Sequence, residues 1–118
     1  MCLQKLTTKN PKVAKRDIPC YKVLEESLIS PYECYKYVLG KKEKSPLHKG
    51  ISDVHKGLHT FTSKKNAIIE RNWFLSQDFG PHNVFKAIIP KGAKYFIGET
   101  EDNQRSYASN ELIVLEKL

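Results

Sequence analysis

The chain has 118 residues, a length that fits one domain and leaves no room for two. Its 40% of hydrophobic residues can form one modest core, so folding requires neither a metal ion nor a disulfide. Lysine and arginine number 20 against 13 aspartate and glutamate, and the net charge of +7 favours anionic partners such as nucleotides, nucleic acids or acidic proteins.

The hydrophobic residues occur only in short runs. None approaches the roughly 20 apolar residues that span a membrane, and the basic N-terminus lacks the apolar stretch of a signal peptide. We therefore expect a cytoplasmic protein with no membrane partner.

The cysteines and histidines predict neither a disulfide framework nor a metal site. The three cysteines are odd in number and widely spaced. His48, His55 and His59 lie near one another, but Gly57 interrupts helical spacing and no CxxC is present, so metal-ligand spacing is missing.

The first half of the chain predicts a basic N-terminal arm and few regular elements. Residues 1–16 are polar and basic, and we expect them to form an arm that is loose or packed late, before an α+β domain over 17–118. Residues 18–24 are aromatic and β-branched and predict a strand. After a turn at Ser30-Pro31, residues 32–39 predict a second strand. Residues 40–57, rich in lysine and glycine, predict a long irregular stretch, which is often functional.

The second half predicts one helix and several strands. Residues 58–61 predict a short strand, and Thr62 or Ser63 is a suitable N-cap for a helix over about 64–77. Ala67, Ile68, Arg71, Phe74 and Leu75 recur at helical spacing and give that helix an apolar face, and Gly80-Pro81 follows it.

The last third predicts a hairpin and a central strand. Residues 84–89 predict the clearest strand, a turn follows at 90–92, and a return strand begins near Tyr95. Residues 99–106 predict an acidic, polar loop. Residues 111–116 are apolar on both faces, which predicts a central strand. Together the elements indicate an α+β fold, mostly antiparallel sheet with one main helix.

Common catalytic and nucleic-acid-binding motifs are absent from the sequence. No Walker loop, GxGxxG or GxSxG occurs, so the sequence does not support a kinase, dehydrogenase or hydrolase function. No helix-turn-helix, zinc-finger or RNP pattern occurs either, which disfavours a sequence-specific DNA reader.

One ordered set of residues resembles a known fold. Tyr21-Lys22 lies in a first strand, His59 and Thr62-Ser63 lie in a segment that leads into the helix, and Glu111 opens the last strand. This order resembles the ADP-ribosyltransferase fold. That fold has Arg or His in a first strand, a Ser-Thr-Ser or Tyr segment before a helix, and a catalytic Glu at a late strand.

The resemblance implies a nucleotide site. Glu111 would be the catalytic carboxylate, stabilising an oxocarbenium-like state as nicotinamide leaves, and NAD would be the cofactor. Lys22 would contact phosphate or ribose, Thr62 or Ser63 would position the ligand, and Tyr21 and His59 would complete the site.

Two positions depart from the transferase pattern and leave catalysis open. Lys22 stands where Arg or His is expected, and Ser109 stands where arginine-modifying members carry Glu or Gln. A domain that binds a nucleotide-type ligand without turnover is therefore included in the expectation.

A second resemblance rests on local segments. They are Tyr21-Lys22, Gly57-Leu-His-Thr-Phe61, Ile89 to Tyr95 and Tyr107-Ala-Ser109. They are similar to segments of small proteins of phages and gut bacteria that have no assigned activity. A phage origin would favour a host-defence inhibitor or a binder of signal nucleotides.

Two functions therefore remain open. The first is an ADP-ribosyltransferase-like domain that binds an anionic small molecule of nucleotide type. It predicts a pocket in which Glu111, Ser63 and Lys22 converge. The second is a non-enzymatic interaction or inhibitor protein whose basic surface binds an acidic protein or a nucleic acid. Structural roles are the alternative for single residues: a solvated Glu111, a capping Ser63, a core His59, and core packing for Trp73.

Overall fold

An antiparallel sheet dominates the computed structural model, which describes residues 3–6, 10–30, 36–49, 54–77, 80–100 and 104–118. In chain order the elements are β1 (Leu3–Leu6), β2 (Lys12–Val13), β3 (Ile18–Glu25), β4 (Lys42–Lys44), β5 (His48–Lys49), β6 (Val54–Lys56), β7 (Leu58–Phe61), α1 (Lys64–Ser76), β8 (His82–Ile89), β9 (Lys94–Thr100), β10 (Arg105–Ser109) and β11 (Glu111–Lys117). This sheet and helix confirm the predicted α+β class.

Nine strands form the main sheet, in the order β1-β9-β10-β7-β3-β8-β11-β4, with β2 also paired to β9. Strands β5 and β6 form a separate pair. The segment from β10 to β11 ties the sheet together, because β10 pairs with β9 and β7 whereas β11 pairs with β8 and β4. The predicted interior position of the last strand is thus confirmed.

The two faces of the sheet bury different clusters. Side chains alternate along each strand, so every second residue faces the same side. The inner face carries the larger cluster, which includes Cys20, Leu24, Phe85, Ala87, Leu112 and Val114. The helix face carries Val23, Phe61 and Val84, which pack against α1.

Helix α1 begins and packs as predicted. The Ser63 side chain accepts a hydrogen bond from the backbone amide of Asn66 at 3.3 Å, and Ala67 and Phe74 are buried against the sheet, with Ile68 partly buried beside them. Phe74 also stacks on His82, with ring centroids 4.4 Å apart. At 13 residues, α1 is too short to cross a bilayer, and no described helix has the length and apolarity to do so.

Leu75 was predicted on the apolar face of α1 but is 52% exposed, so that placement was wrong. Trp73 was expected in or near the core. Its side chain is 48% exposed and meets the buried Phe74 edge-on, with ring centroids 5.2 Å apart. Consecutive helical residues point about 100° apart, so burial of Phe74 turns Trp73 toward solvent. Trp73 therefore lies at the margin of the core, half-exposed beside Phe74.

The described residues of the N-terminal segment pack against the sheet. Both β1 and β2 pair with β9. Ala14 is 2% exposed, and its backbone donates to Ala93 and accepts from Gly92, each at 2.8 Å. These backbone bonds carry no side-chain signature, which is why a polar, basic sequence concealed them.

Other elements also differ from expectation. The stretch 40–57 contains β4, β5 and β6 rather than only loop, and β10 begins at Arg105, inside the predicted acidic loop. Of the predicted strand at 32–39, residues 32–35 lie outside the described residues, and Lys36 forms an isolated bridge with Ile29.

Candidate functional site

Lys22 is buried inside the protein. Its residue is 5% exposed on the inner face. Its Nζ donates to the carbonyl oxygen of His59 at 2.6 Å and lies 5.3 Å from the centre of the Tyr37 ring. The β3–β7 ladder is limited to Tyr21 opposite Phe61, so the lysine ties these strands together just beyond that pair.

Tyr21 and His59 occupy structural positions as well. Tyr21 is half-buried on the helix face, where it packs with the cluster that holds Phe61 and Val84. His59 is 7% exposed within β7, opposite Ala108 of β10. Neither residue lines the groove described below.

Thr62 and Ser63 both form hydrogen bonds at the start of α1. Ser63 is the N-cap. The Thr62 hydroxyl donates to the carbonyl oxygen of Arg105 at 3.3 Å, which fixes the end of β7 beside β10. The capping role is the alternative that the sequence left open for this pair.

Glu111 meets two lysines of the edge strand. Its carboxylate lies 3.7 Å from Lys42 Nζ and 4.0 Å from Lys44 Nζ, and β4 and β11 pair with Glu111 opposite Lys44. About a fifth of the Glu111 side chain is exposed. This is a cross-strand charge cluster at the sheet edge.

The predicted convergence of Glu111, Lys22 and Ser63 was wrong. Lys22 lies opposite Phe85 and shares the inner face with Val114, so Glu111, three residues before Val114, faces the other side. Glu111 and Lys22 are also offset by about five residues, or roughly 16 Å, along the strands.

Ser63 is equally far from Glu111 across the sheet. It follows β7, and three strand spacings separate β7 from β11, which is roughly 14 Å in the plane of the sheet. Hydrogen-bond reach around one ligand is therefore lost for the predicted trio. The interior pairing of β8 between β3 and β11 is the physical cause.

A groove on the inner face, beside β2, is the stronger candidate site. Its volume is about 650 Å³, within the range of small-molecule sites. It is lined by Lys12, Val13, Lys15, Arg16, Ile18, Tyr95 and Tyr107. One wall is the segment around β2, and the other is formed by tyrosines of β9 and β10.

The register of three strands positions the groove's side chains. Lys12 lies opposite Tyr95, and Tyr107 lies opposite Ile97, two residues further along β9. All three side chains therefore share one face of the sheet. The two tyrosine rings meet edge-on, with centroids 5.7 Å apart and an interplanar angle of 84°.

The three basic side chains of the groove are exposed and give it a net positive charge. Within the described part of the chain, Lys12, Lys15 and Arg16 form no ion pair with a carboxylate. The neighbouring Asp17 instead accepts a hydrogen bond from the Lys91 backbone amide at 2.9 Å. An anion in the groove would therefore supply the missing counter-charge.

Tyr107 contributes a neutral ring. Burial raises the pKa of its phenol, the neighbouring Cys20 and Tyr95 raise it further, and Arg105 opposes them. The phenol therefore stays protonated at neutral pH and does not repel an anion. Its ring offers an apolar surface and its hydroxyl a donor.

The described residues contain no candidate metal site, because no three His, Cys, Asp or Glu side chains among them lie close together. The side chain of His55 lies outside that description.

Comparison with known proteins finds no matching family, no matching curated protein and no matching solved structure.

Only the basic residues of the groove could be anticipated from the sequence. The cations belong to a visible N-terminal basic cluster, but nothing in the sequence pairs them with Tyr95 and Tyr107. That pairing depends on β2, which is two residues long and followed by a backbone clasp at Ala14. A strand this short leaves no periodic pattern to read.

Proposed function

We propose that the protein binds a nucleotide-type anionic ligand in the groove beside β2, without catalysis by Glu111. The observation that carries the proposal is the joint lining of one groove by Lys12, Lys15 and Arg16 and by two tyrosines. Phosphate and base then each find a complementary surface, since cations attract the phosphates and aromatic rings stack on the base.

The proposal keeps the ligand class expected from the sequence and moves it to another part of the fold. Lys22 is engaged with the His59 carbonyl, Ser63 caps α1 and Glu111 faces Lys42 and Lys44. No carboxylate lines the groove, so the described lining offers no group to stabilise an oxocarbenium-like state.

The test uses ATP as the probe and charge reversal as the change. In a calorimetric titration at low salt, Lys15→Glu with Arg16→Glu should abolish ATP binding, because two attractive charges become repulsive. Lys64→Glu with Lys65→Glu is the matched control, since both lysines are exposed at the start of α1, on the other side of the sheet.

Salt and the control decide the outcome. Wild-type affinity should fall as ionic strength rises, because screening weakens exposed charge interactions. Equal loss in both double variants would mean that ATP senses only net charge, and no ATP binding by the wild type at low salt would contradict the proposal.

A second candidate function rests on the outer face of α1. Ile69 is 46% exposed and Trp73 is 48% exposed, and they lie one helical turn apart, with Lys65 a turn before them. An apolar strip beside a lysine suits an acidic protein partner with an apolar contact. Trp73 is the chain's single tryptophan, so its fluorescence would report such a partner, and Trp73→Ala should remove binding without affecting ATP.

A further inference from the structure

The cations of the groove come from successive positions of one segment. Lys12 lies in β2, and Lys15 and Arg16 follow it where the chain bends, at most roughly 14 Å from Lys12. Sites for one terminal phosphate instead gather backbone amides at a helix N-terminus or a glycine-rich loop. Among the described residues that line the groove, neither feature occurs.

A fourth cation, Lys91, lies on a turn that the same segment contacts. Residues 14–17 are hydrogen-bonded to the turn between β8 and β9. Ala14 exchanges backbone hydrogen bonds with Ala93 and Gly92, and the Asp17 carboxylate accepts a hydrogen bond from the Lys91 backbone amide. Lys91 is exposed on that turn. Asp17, which follows Arg16 in the chain, therefore contacts the turn that carries the fourth cation, Lys91.

The tyrosines favour nucleic acid over other polyanions. Tyr95 and Tyr107 line the groove beside these cations, half-buried and with their rings edge-on to each other. In single-strand binding proteins, bases stack on such rings while cations track the backbone. An acidic peptide would use the cations and leave the rings without a partner.

We infer that the natural ligand is a short single-stranded oligonucleotide, with its phosphates along Lys12, Lys15, Arg16 and Lys91 and its bases against Tyr95 and Tyr107. This inference rests on the proposed function and names the ligand class for the same groove. A mononucleotide would occupy only part of the site.

The experiment compares two probes and two lysines of one hairpin. Fluorescence anisotropy would follow a labelled hexathymidylate, and thymidine 5′-monophosphate would compete with it, over a range of salt concentrations. Lys91→Ala removes the outermost cation. Lys94→Ala is the matched control, because Lys94 is exposed on the same hairpin but points to the face opposite Tyr95.

The salt dependence gives a quantitative expectation. Four phosphate contacts should give a slope of about 3 in log Kd against log salt concentration, since single strands release about 0.7 counterion per contact. Lys91→Ala should lower that slope to about 2 and leave the monophosphate unaffected. Lys94→Ala should change neither.

Stacking is tested separately. Tyr95→Leu should weaken the hexamer about tenfold, whereas Tyr95→Phe should retain wild-type affinity because the ring remains.

Each contrary result has its own meaning. Equal affinities for the hexamer and the monophosphate, with Lys91→Ala without effect, would overturn the oligonucleotide inference and leave nucleotide binding intact. A polyglutamate peptide that binds as tightly as the hexamer would overturn the nucleic-acid class. Binding that is insensitive to Lys15→Glu with Arg16→Glu would overturn the groove itself.

Discussion

At the scale of single residues, buried polar groups stabilise the sheet rather than form a site. Lys22 is the strongest case, because a lysine is almost never fully buried unless it is paired. Its ammonium group meets a backbone carbonyl and an aromatic face, both of which stabilise a cation.

Lys22→Met tests this role. The change keeps an apolar stem but removes the charged hydrogen bond, and we expect the free energy of unfolding to fall by about 1–3 kcal/mol in urea denaturation. Lys86→Met is the control, since Lys86 lies opposite Tyr21 and is exposed. A loss of ATP affinity with unchanged stability would instead assign Lys22 to a ligand site.

Cys20 gives stability a defined pH dependence. Burial raises the pKa of its thiol from 9.0 to about 12, against opposing effects of the Thr60 hydroxyl and Lys22. The folded state therefore holds the proton more tightly than the unfolded state. This contribution is complete below pH 9 and is lost as the pH rises toward 12, by up to about 1.4 kcal/mol per pH unit.

The comparison of wild type with Cys20→Ala isolates this effect from other alkaline titrations. The difference in unfolding free energy between the two proteins should shrink steadily from pH 9 to pH 11. A constant difference over that range would contradict a buried, protonated thiol.

Glu111→Gln separates the charge cluster from catalysis. Both lysine partners are well exposed, so we expect a loss of less than about 1 kcal/mol in unfolding free energy. ATP affinity should not change, because Glu111 does not line the groove. Measurable NAD cleavage by the wild type that disappears in this variant would restore the transferase reading.

At the scale of elements, α1 depends on its cap. Ser63→Ala removes the oxygen that accepts from the Asn66 amide, and we expect a loss of about 1 kcal/mol in unfolding free energy. Ser63→Asp should restore most of it, because aspartate also caps helices. ATP affinity that falls in the alanine variant while stability holds would favour a ligand role.

Elements with a strong local pattern were predictable from the sequence. Strands β3, β8 and β11 and helix α1 follow clear apolar patterns and turn signals, and their bounds agree with expectation to within about two residues. The short strands β2, β4 and β10 were not predicted, because they are defined by their pairing with β9, β11 and β7 and not by a local sequence pattern. The predicted site failed for the same reason: order along the chain does not give strand order in the sheet.

At the scale of the whole molecule, the basic residues lie on different parts of the sheet and have different surroundings. The inner face presents the groove cations beside tyrosines, whereas Lys42 and Lys44 at the opposite edge share the carboxylate of Glu111. Net charge alone predicted an anionic partner but not its location. Among the described residues, those of the groove beside β2 bring positive charge and aromatic surface together.

Backbone amide chemical shifts measured by NMR during titration with ATP at low salt test this claim most directly. We expect the perturbed amides to cluster at residues 12–18, around Tyr95 and around Tyr107, and to recover when the salt concentration is raised. Perturbations centred on Lys22, Ser63 and Glu111, or scattered over α1 with none beside β2, would contradict the account.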